Sequence, residues 1–245
     1  MMLDIEHTEM KSIKIDGKTD GFGAQYLAKM SGFAYAQSSS DMCYQHQPFH
    51  EMEHLTTETV DDMNRFAGMT SDRQCKSTSP EVSLFREEVH WSEQPSKYYT
   101  PEVRSDLRRM YETSSEHKPR DHGCDIAFHV RRGDVDVSDT YRYTPNEEIR
   151  KHLDHLSSRF PSETICLLSE GKPEDFDVGY AEVTFKLNQD LRHTFDLMVS
   201  APRLVVSNST FPYSAAVLNT GHIMHYIKPR LGHRPLDHWE NIDHE

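Results

Sequence analysis

The chain has 245 residues, 36% hydrophobic and 27% charged, with a formal net charge of −13. This balance fits one large α/β domain or two small lobes and excludes intrinsic disorder. The acidity argues against a general nucleic-acid binder or a peripheral protein of anionic membranes, while leaving room for a local basic pocket.

No apolar run is long enough to span a bilayer, and the opening residues MMLDIEHTEMKSIK carry no apolar signal segment. A soluble cytoplasmic protein is expected, with the Golgi lumen as the alternative for a trimmed chain. Cys43, Cys75, Cys124 and Cys166 are scattered and form no Cys-x-x-Cys pair. They read as buried thiols in a reducing compartment, not as a zinc ribbon or a disulfide framework.

In chain order, residues 12–16 (SIKID) predict a strand. A glycine turn at Gly21 and Gly23 then opens a helix with Leu27, Met30, Ala34 and Tyr35 facing inward. Residues 48–54, PFHEMEH, contain His50-Glu51-x-x-His54, the spacing by which a helix turns two histidines and a glutamate toward zinc. Pro48 before it and the β-branched run LTTET after it oppose a long helix, no third ligand stands out, and 16 histidines invite a chance match. The stretch is read as a loop facing sugar or acceptor, with a zinc hydrolase as a distant third function. Residues 69–98 show no regular pattern. Residues 100–111 predict a capped helix with Val103, Leu107 and Met110 on one side. The polar stretch 112–123, with Pro119 and a closing Gly123, suits a linker. The expected division is an N-terminal lobe at 1–118 and a C-terminal lobe at 119–245.

Beyond the linker, strand and helix signals alternate. Residues 125–130 (DIAFHV), 164–169 (TICLLS), 183–187 (VTFKL), 203–207 (RLVVS) and 222–227 (HIMHYI) predict strands, the last of them the final one. Thr144-Pro145-Asn146-Glu147 predicts a capping box opening a helix with Ile149, Leu153, Leu156 and Phe160 on one face. Asp190 caps a helix presenting Leu191, Phe195 and Met198, and residues 211–219 form a short helix. The expected fold class is α/β, a smaller lobe followed by a Rossmann-like, doubly wound parallel sheet.

Open α/β sheets bind ligands beyond the carboxyl ends of their strands. Those ends carry Arg131-Arg132-Gly133-Asp134, then Glu170-Gly171, then Asn208-Ser209-Thr210 running into Phe211. Two arginines beside a hydroxyl-rich helix N-terminus make an anion site suited to a diphosphate, because guanidinium offers paired donors to phosphate oxygens. Asp134-Val135-Asp136 also spells an Asp-x-Asp metal motif, but Asp134 already belongs to the arginine motif, so no metal is expected.

These residues carry a family resemblance. FHVRRGDV at 128–135 resembles the His-x-Arg-Arg-x-Asp motif of the fucosyltransferase superfamily, which spans α1,2-, α1,6- and protein O-fucosyltransferases. DGFGAQYLAKMSGFAYA at 20–36 is similar to their N-terminal glycine turn and helix, with Ala24 where asparagine is usual. LRHTFDLMVSAPRLVVSNSTFPYSAAVLN at 191–219 resembles their late helix-strand-helix motif.

The resemblance implies two Rossmann-like lobes in the GT-B arrangement and inverting, metal-independent transfer of fucose from GDP-fucose, with no cofactor. The implied partners are a GDP-sugar donor and a carbohydrate or glycoprotein acceptor. Arg131 and Arg132 would hold the pyrophosphate and stabilise the charge on the departing GDP, with Arg131 expected to matter at least as much as Arg132. His129 would lie near nucleoside or phosphate, and Ser207, Ser209, Thr210 and Phe211 would close around the phosphates. Gly21 and Gly23, in the glycine turn of the acceptor-side N-terminal lobe, would be among the substrate-binding residues. Asp134 would brace the loop. Asp20 is the candidate base for the acceptor hydroxyl, with Glu51 and Glu53 as rivals. Where some relatives carry an acidic guanine reader, this chain has Ala201-Pro202-Arg203, which leaves only Asp196 nearby. The alternatives are a related transferase using another nucleotide sugar and a nucleotide-sugar-binding protein without turnover.

Overall fold

The architecture is that of a computed structural model, which describes residues 10–15, 20–45, 48–50, 52, 59–69, 75, 81–84, 92–114, 123–176, 179, 183–227 and 233–242. The chain divides into two compact units, Met1–Ser115 and Glu116–Glu245.

The N-terminal unit is built on a parallel sheet of β1 (Lys11–Ile15), β2 (Met42–Tyr44) and β3 (Glu81–Leu84), in the order β2-β1-β3. Helix α1 (Phe22–Gln37) joins β1 to β2 and is buried on nearly all sides, Leu27, Met30 and Ala34 among its buried residues. Its contact with the sheet is close because Gly32 has no side chain: a β-carbon there would lie 2.6 Å from Ile15 Cγ1 and 2.8 Å from Tyr44.

Helix α2 (Val60–Ala67) went unread in the sequence, yet its signals are present. The Thr59 hydroxyl accepts from the Asp62 N–H at 3.1 Å, the Asp62 carboxylate accepts from the Thr59 N–H at 2.8 Å, and Gly68 ends the helix at φ 63°. In α3 (Pro101–Glu112) the Thr100 hydroxyl caps the Val103 N–H. Val103, Leu107 and Tyr111 are its buried residues, while Met110 is only half-buried.

The C-terminal unit carries six parallel strands: β4 (Ile126–His129), β5 (Ile165–Ser169), β6 (Thr184–Leu187), β7 (Arg203–Val206), β8 (His222–His225) and β9 (Glu240–Asn241). Their order is β6-β5-β4-β7-β8-β9. The chain lays down β4, β5 and β6 outward in one direction, then returns to the other side of β4 for β7, β8 and β9. This is the doubly wound Rossmann order, with its switch point between β4 and β7.

The helices are α4 (Asn146–Arg159), α5 (Leu191–Ser200) and α6 (Thr210–Leu218). Strand alternation sorts the core. Ile126, Phe128, Val130, Ile165, Leu167, Val205 and Met224 share one cluster with Ile149, Leu153 and Leu156 of α4. Burying such side chains supplies about 1.5 to 3 kcal/mol each. The residues between them face the other way, where His129 meets Phe211 of α6 at 5.8 Å between ring centres and Phe211 meets Phe195 of α5 at 5.5 Å.

Three sequence expectations need correction. HIMHYI is not the last strand, because the short β9 pairs outside β8. Thr144 does not cap α4, which begins at Asn146 with no side-chain cap bond. Its hydroxyl is buried instead, 3.5 Å from the Tyr226 hydroxyl, and its carbonyl is held by Arg132. Finally, the cysteines are not thiols: Cys43 pairs with Cys75 and Cys124 with Cys166. Lateral pairing of β4 with β5 brings Cys124 and Cys166 to a Cα separation of 5.7 Å across 42 residues, which linear spacing hides.

Candidate functional site

The carboxyl ends of β4 and β7 lie side by side at the switch point, and their loops gather most of the residues singled out in the sequence. Their alternation decides which way each side chain goes. Phe128 and Val130 belong to the α4 face, and Arg132, beyond the strand, reaches Asn146 at the start of α4. It is 8% exposed, and it donates to the Thr144 carbonyl at 2.6 Å, Asn146 Oδ1 at 3.0 Å and the Arg131 carbonyl at 3.2 Å. Its guanidinium lies 4.0 Å from the centre of the Tyr143 ring and 5.3 Å from that of Phe176. Burial lowers its pKa. Through these bonds Arg132 holds the loop against α4 and is far less exposed than its neighbour Arg131. Nothing in the sequence separates it from Arg131, because β4 ends at His129 and both arginines lie in the loop that follows.

Arg131 falls on the other side and keeps a quarter of its side chain exposed, 24%. It grips Asp134 through two guanidinium nitrogens, Nε on Oδ1 at 3.0 Å and Nη2 on Oδ2. The turn that brings Asp134 back needs Gly133, whose φ is +84° and where any side chain would collide with the Glu170 carboxylate.

His129 is buried, and its Nδ1 lies 3.0 Å from Ser207 Oγ. Burial first, and the charge of Arg131 second, push its pKa down to about 3, so the ring is neutral at physiological pH. Ser207 is 1% exposed and engaged with His129, which makes it a support of the site floor. Ser209 is also buried and caps α6, accepting from the Phe211 N–H at 3.4 Å. Thr210 and Phe211 are half-buried and stand at the start of α6. Behind the floor, the fully buried Tyr226 hydroxyl reaches the His129 carbonyl at 3.4 Å and Thr144 Oγ1 at 3.5 Å, tying the end of β4 to the arginine loop.

The arrangement suits an anion. It joins an accessible guanidinium, the N-terminus of a nine-residue helix and a neutral imidazole at the ligand edge of a Rossmann sheet. Asp196, the sequence candidate for reading guanine, lies within α5, and its carbonyl accepts from the Ser200 hydroxyl. Arg203 sits at the opposite end of β7 with Glu163 at 2.6 Å.

Asp20, Gly21 and Gly23 belong to the N-terminal unit. Asp20 is exposed, Gly21 precedes α1 as its N-cap residue, and Gly23 is buried within it. Gln25, which the sequence reading passed over, donates to the Asp20 carbonyl at 2.8 Å and accepts from the His50 N–H at 2.9 Å. Lys29 holds the Pro48 carbonyl at 3.1 Å and lies 4.8 Å from the centre of the Phe49 ring; burial pushes its pKa down to about 8. The two side chains fasten residues 48–50 onto α1. Residues 48–50 and 52 are not helical, so His50 lacks the helix that a zinc hydrolase of this motif requires. Glu51, Glu53 and His54 lie outside the described residues. Among the described residues no group of three or more metal-ligating side chains is gathered, and no helix is long and apolar enough to cross a membrane.

The C-terminal unit is therefore a doubly wound, Rossmann-like α/β fold by its strand order. No protein-family model matches the chain, and no curated protein matches it by sequence. Among solved structures, the E. coli heptosyltransferase WaaC with ADP is similar at 11% identity and a TM-score of 0.45, covering 95% of this chain and 92% of that one. E. coli ADP-heptose LPS heptosyltransferase II is similar at 10% identity and a TM-score of 0.41, covering 95% and 90%. No residue role is carried across from either.

Proposed function

We propose that the protein is a glycosyltransferase that takes its sugar from a nucleoside diphosphate sugar. The supporting observation is the convergence at the β4/β7 switch point of Arg131, the neutral His129–Ser207 pair and the N-terminus of α6. Transfer builds negative charge on the leaving diphosphate as the sugar becomes cationic, and a fixed guanidinium beside that charge lowers the barrier. A histidine that stays neutral adds no charge that would have to be desolvated.

The finer reading is inverting transfer of fucose from GDP-fucose to a glycan or protein hydroxyl, without metal. Its support is the order and spacing of the three motifs, with Asp20 as candidate base in the N-terminal unit. A related transferase using another nucleotide sugar is the alternative, since arginines and hydroxyls recognise the diphosphate and not the base or sugar. The paired cysteines support an oxidising compartment, which favours the lumenal alternative over the cytoplasm. Mass spectrometry after alkylation under denaturing, non-reducing conditions should find all four cysteines unmodified.

Thermal-shift titration with GDP, UDP, ADP and GDP-fucose, followed by transfer assays, tests the reading. Stabilisation by at least one nucleoside diphosphate is expected, since a ligand of the native state shifts unfolding by mass action. GDP alone would support fucose, whereas ADP or UDP without GDP would retire it. Binding without product on any glycan acceptor would leave a nucleotide-sugar binder. EDTA should leave turnover unchanged.

A further inference from the structure

Arg131 and Arg132 form one motif in the sequence, yet Arg132 is nearly buried and bonded on the α4 side, so Arg131 is the more exposed cation of the two. The loop that follows supplies another. Arg142, with 43% of its side chain exposed, places Nη1 4.0 Å from Asp134 Oδ2, the oxygen already gripped by Arg131. Its remaining edge is fixed on Asp139 Oδ2, with Nε and Nη2 each at 2.5 Å.

The loop is ordered to hold it there. Asp139 Oδ1 accepts from the Arg142 N–H at 2.9 Å, the Asp139 carbonyl accepts from the Tyr143 N–H at 2.9 Å, and Asp136 Oδ1 accepts from the Ser138 N–H at 2.8 Å. Two guanidiniums therefore converge on one carboxylate at the ligand edge. A single negative charge between two cations is the arrangement that a diphosphate, with more charge and more acceptor oxygens, can take over.

We propose that Arg142 is the second cation of the diphosphate site, and that Asp134 is the internal anion which the diphosphate displaces from between Arg131 and Arg142. The proposal rests on the nucleotide-sugar reading. It gives Asp139 the task of aiming Arg142, and it makes Asp134 a competitor that weakens product binding and so favours release.

The test is calorimetric titration with GDP, UDP, ADP and, as a probe without base or sugar, inorganic pyrophosphate, at low and moderate salt. Arg142→Ala should bind both the preferred nucleotide and pyrophosphate about tenfold more weakly. Its affinity should also depend less on salt. Arg142→Lys should recover part of the loss. Asp134→Asn, which keeps an acceptor for Arg131 but removes the competing charge, should bind about fivefold more tightly. Asp139→Asn should lose less than Arg142→Ala does. Thermal unfolding of each variant checks the fold. Wild-type affinity in Arg142→Ala, weaker binding in Asp134→Asn, or an Asp139→Asn loss equal to that of Arg142→Ala would overturn the proposal while the functional reading stands. A wild-type protein that binds none of the nucleotides and no pyrophosphate would overturn both.

Discussion

The two ends of the C-terminal sheet are made of similar materials and do different work. At the amino end, Cys124 is bonded to Cys166, the Asp125 carboxylate accepts from the Thr164 N–H at 2.8 Å, and Arg203 pairs with Glu163 at 2.6 Å while lying 4.4 Å from the centre of the Phe160 ring. Asn219 closes the same region by donating to the Met198 and Ala201 carbonyls at 2.7 and 3.0 Å. These contacts tie the amino ends of the strands to one another and to the ends of α5 and α6. At the carboxyl end Arg131 also has an acidic partner, but Asp134 is a neighbour in the same short loop, and both remain partly exposed. The difference lies in what surrounds the ion pair. The N-terminus of α6 and the strand ends at the switch point favour an anion at the carboxyl end. Equal chemistry gives stability at one end and a replaceable contact at the other.

The largest expected effect comes from removing the amino-end staple. Replacing Cys124 and Cys166 by Ser opens a loop spanning 42 residues, and stability should fall by about 4 kcal/mol in chemical denaturation. Nucleotide affinity of the folded fraction should stay unchanged, because the bond lies at the end of the strands remote from Arg131. A parallel loss of affinity would show that the two ends are not separable.

Next comes Arg131→Ala, which should cut transfer about a hundredfold, or about 3 kcal/mol in barrier. Its cost in stability should stay below about 1 kcal/mol, since a partly exposed pair contributes little to folding. Kinetics alongside thermal unfolding separates the two quantities, and a folded variant with wild-type turnover would mean that the site is elsewhere.

Arg132→Ala should reverse that pattern. It strips donors from the buried Thr144 carbonyl and from Asn146, and it opens the slot between Tyr143 and Phe176. A stability loss of about 2 to 3 kcal/mol is expected. Lysine should not restore it, lacking both the planar face and the fork. A fully stable Arg132→Ala variant would contradict the division of labour between the adjacent arginines.

The smallest effect concerns His129. Its native pKa of about 3 lies below the ordinary 6.5, so the unfolded chain takes up a proton that the folded chain refuses. Stability should therefore be fully present above about pH 6.5 and decline as pH falls toward 3, by about 2 kcal/mol at pH 5. His129→Asn should flatten that acid limb in denaturation measured from pH 7 to pH 4. An unchanged slope would place the titrating group elsewhere.

Much of the C-terminal unit was legible because β4, β5, β7 and β8 are largely buried along their length and read as apolar runs. DIAFHV and RLVVS could hardly be anything else, and the hydrophobic face of α4 announced itself through Ile149, Leu153 and Leu156. The N-terminal unit was harder. Its β2 covers only Met42–Tyr44, and its α2 has a polar composition that hides behind a capping box of Thr59 with Asp62. Thr144 misled for a related reason. Its local sequence is a good cap, but a buried arginine and a buried tyrosine hydroxyl outcompeted the helix end for its oxygens.

What the sequence alone determined is the set of local choices: alternating strands and helices, an arginine loop after β4, and a serine-rich turn before α6. Each depends on residues within a few positions of one another, so periodicity and capping chemistry express it. Only the tertiary structure decided that the four cysteines pair, that β4 and β7 are neighbours at the switch point, and that Arg131 is available while Arg132 is consumed. Those outcomes depend on which distant segments are brought side by side, and on which face of β4 each side chain then meets. Residue type is the same for both arginines; burial against Tyr143 and Phe176, or exposure beside Asp134, is a property of the packed sheet.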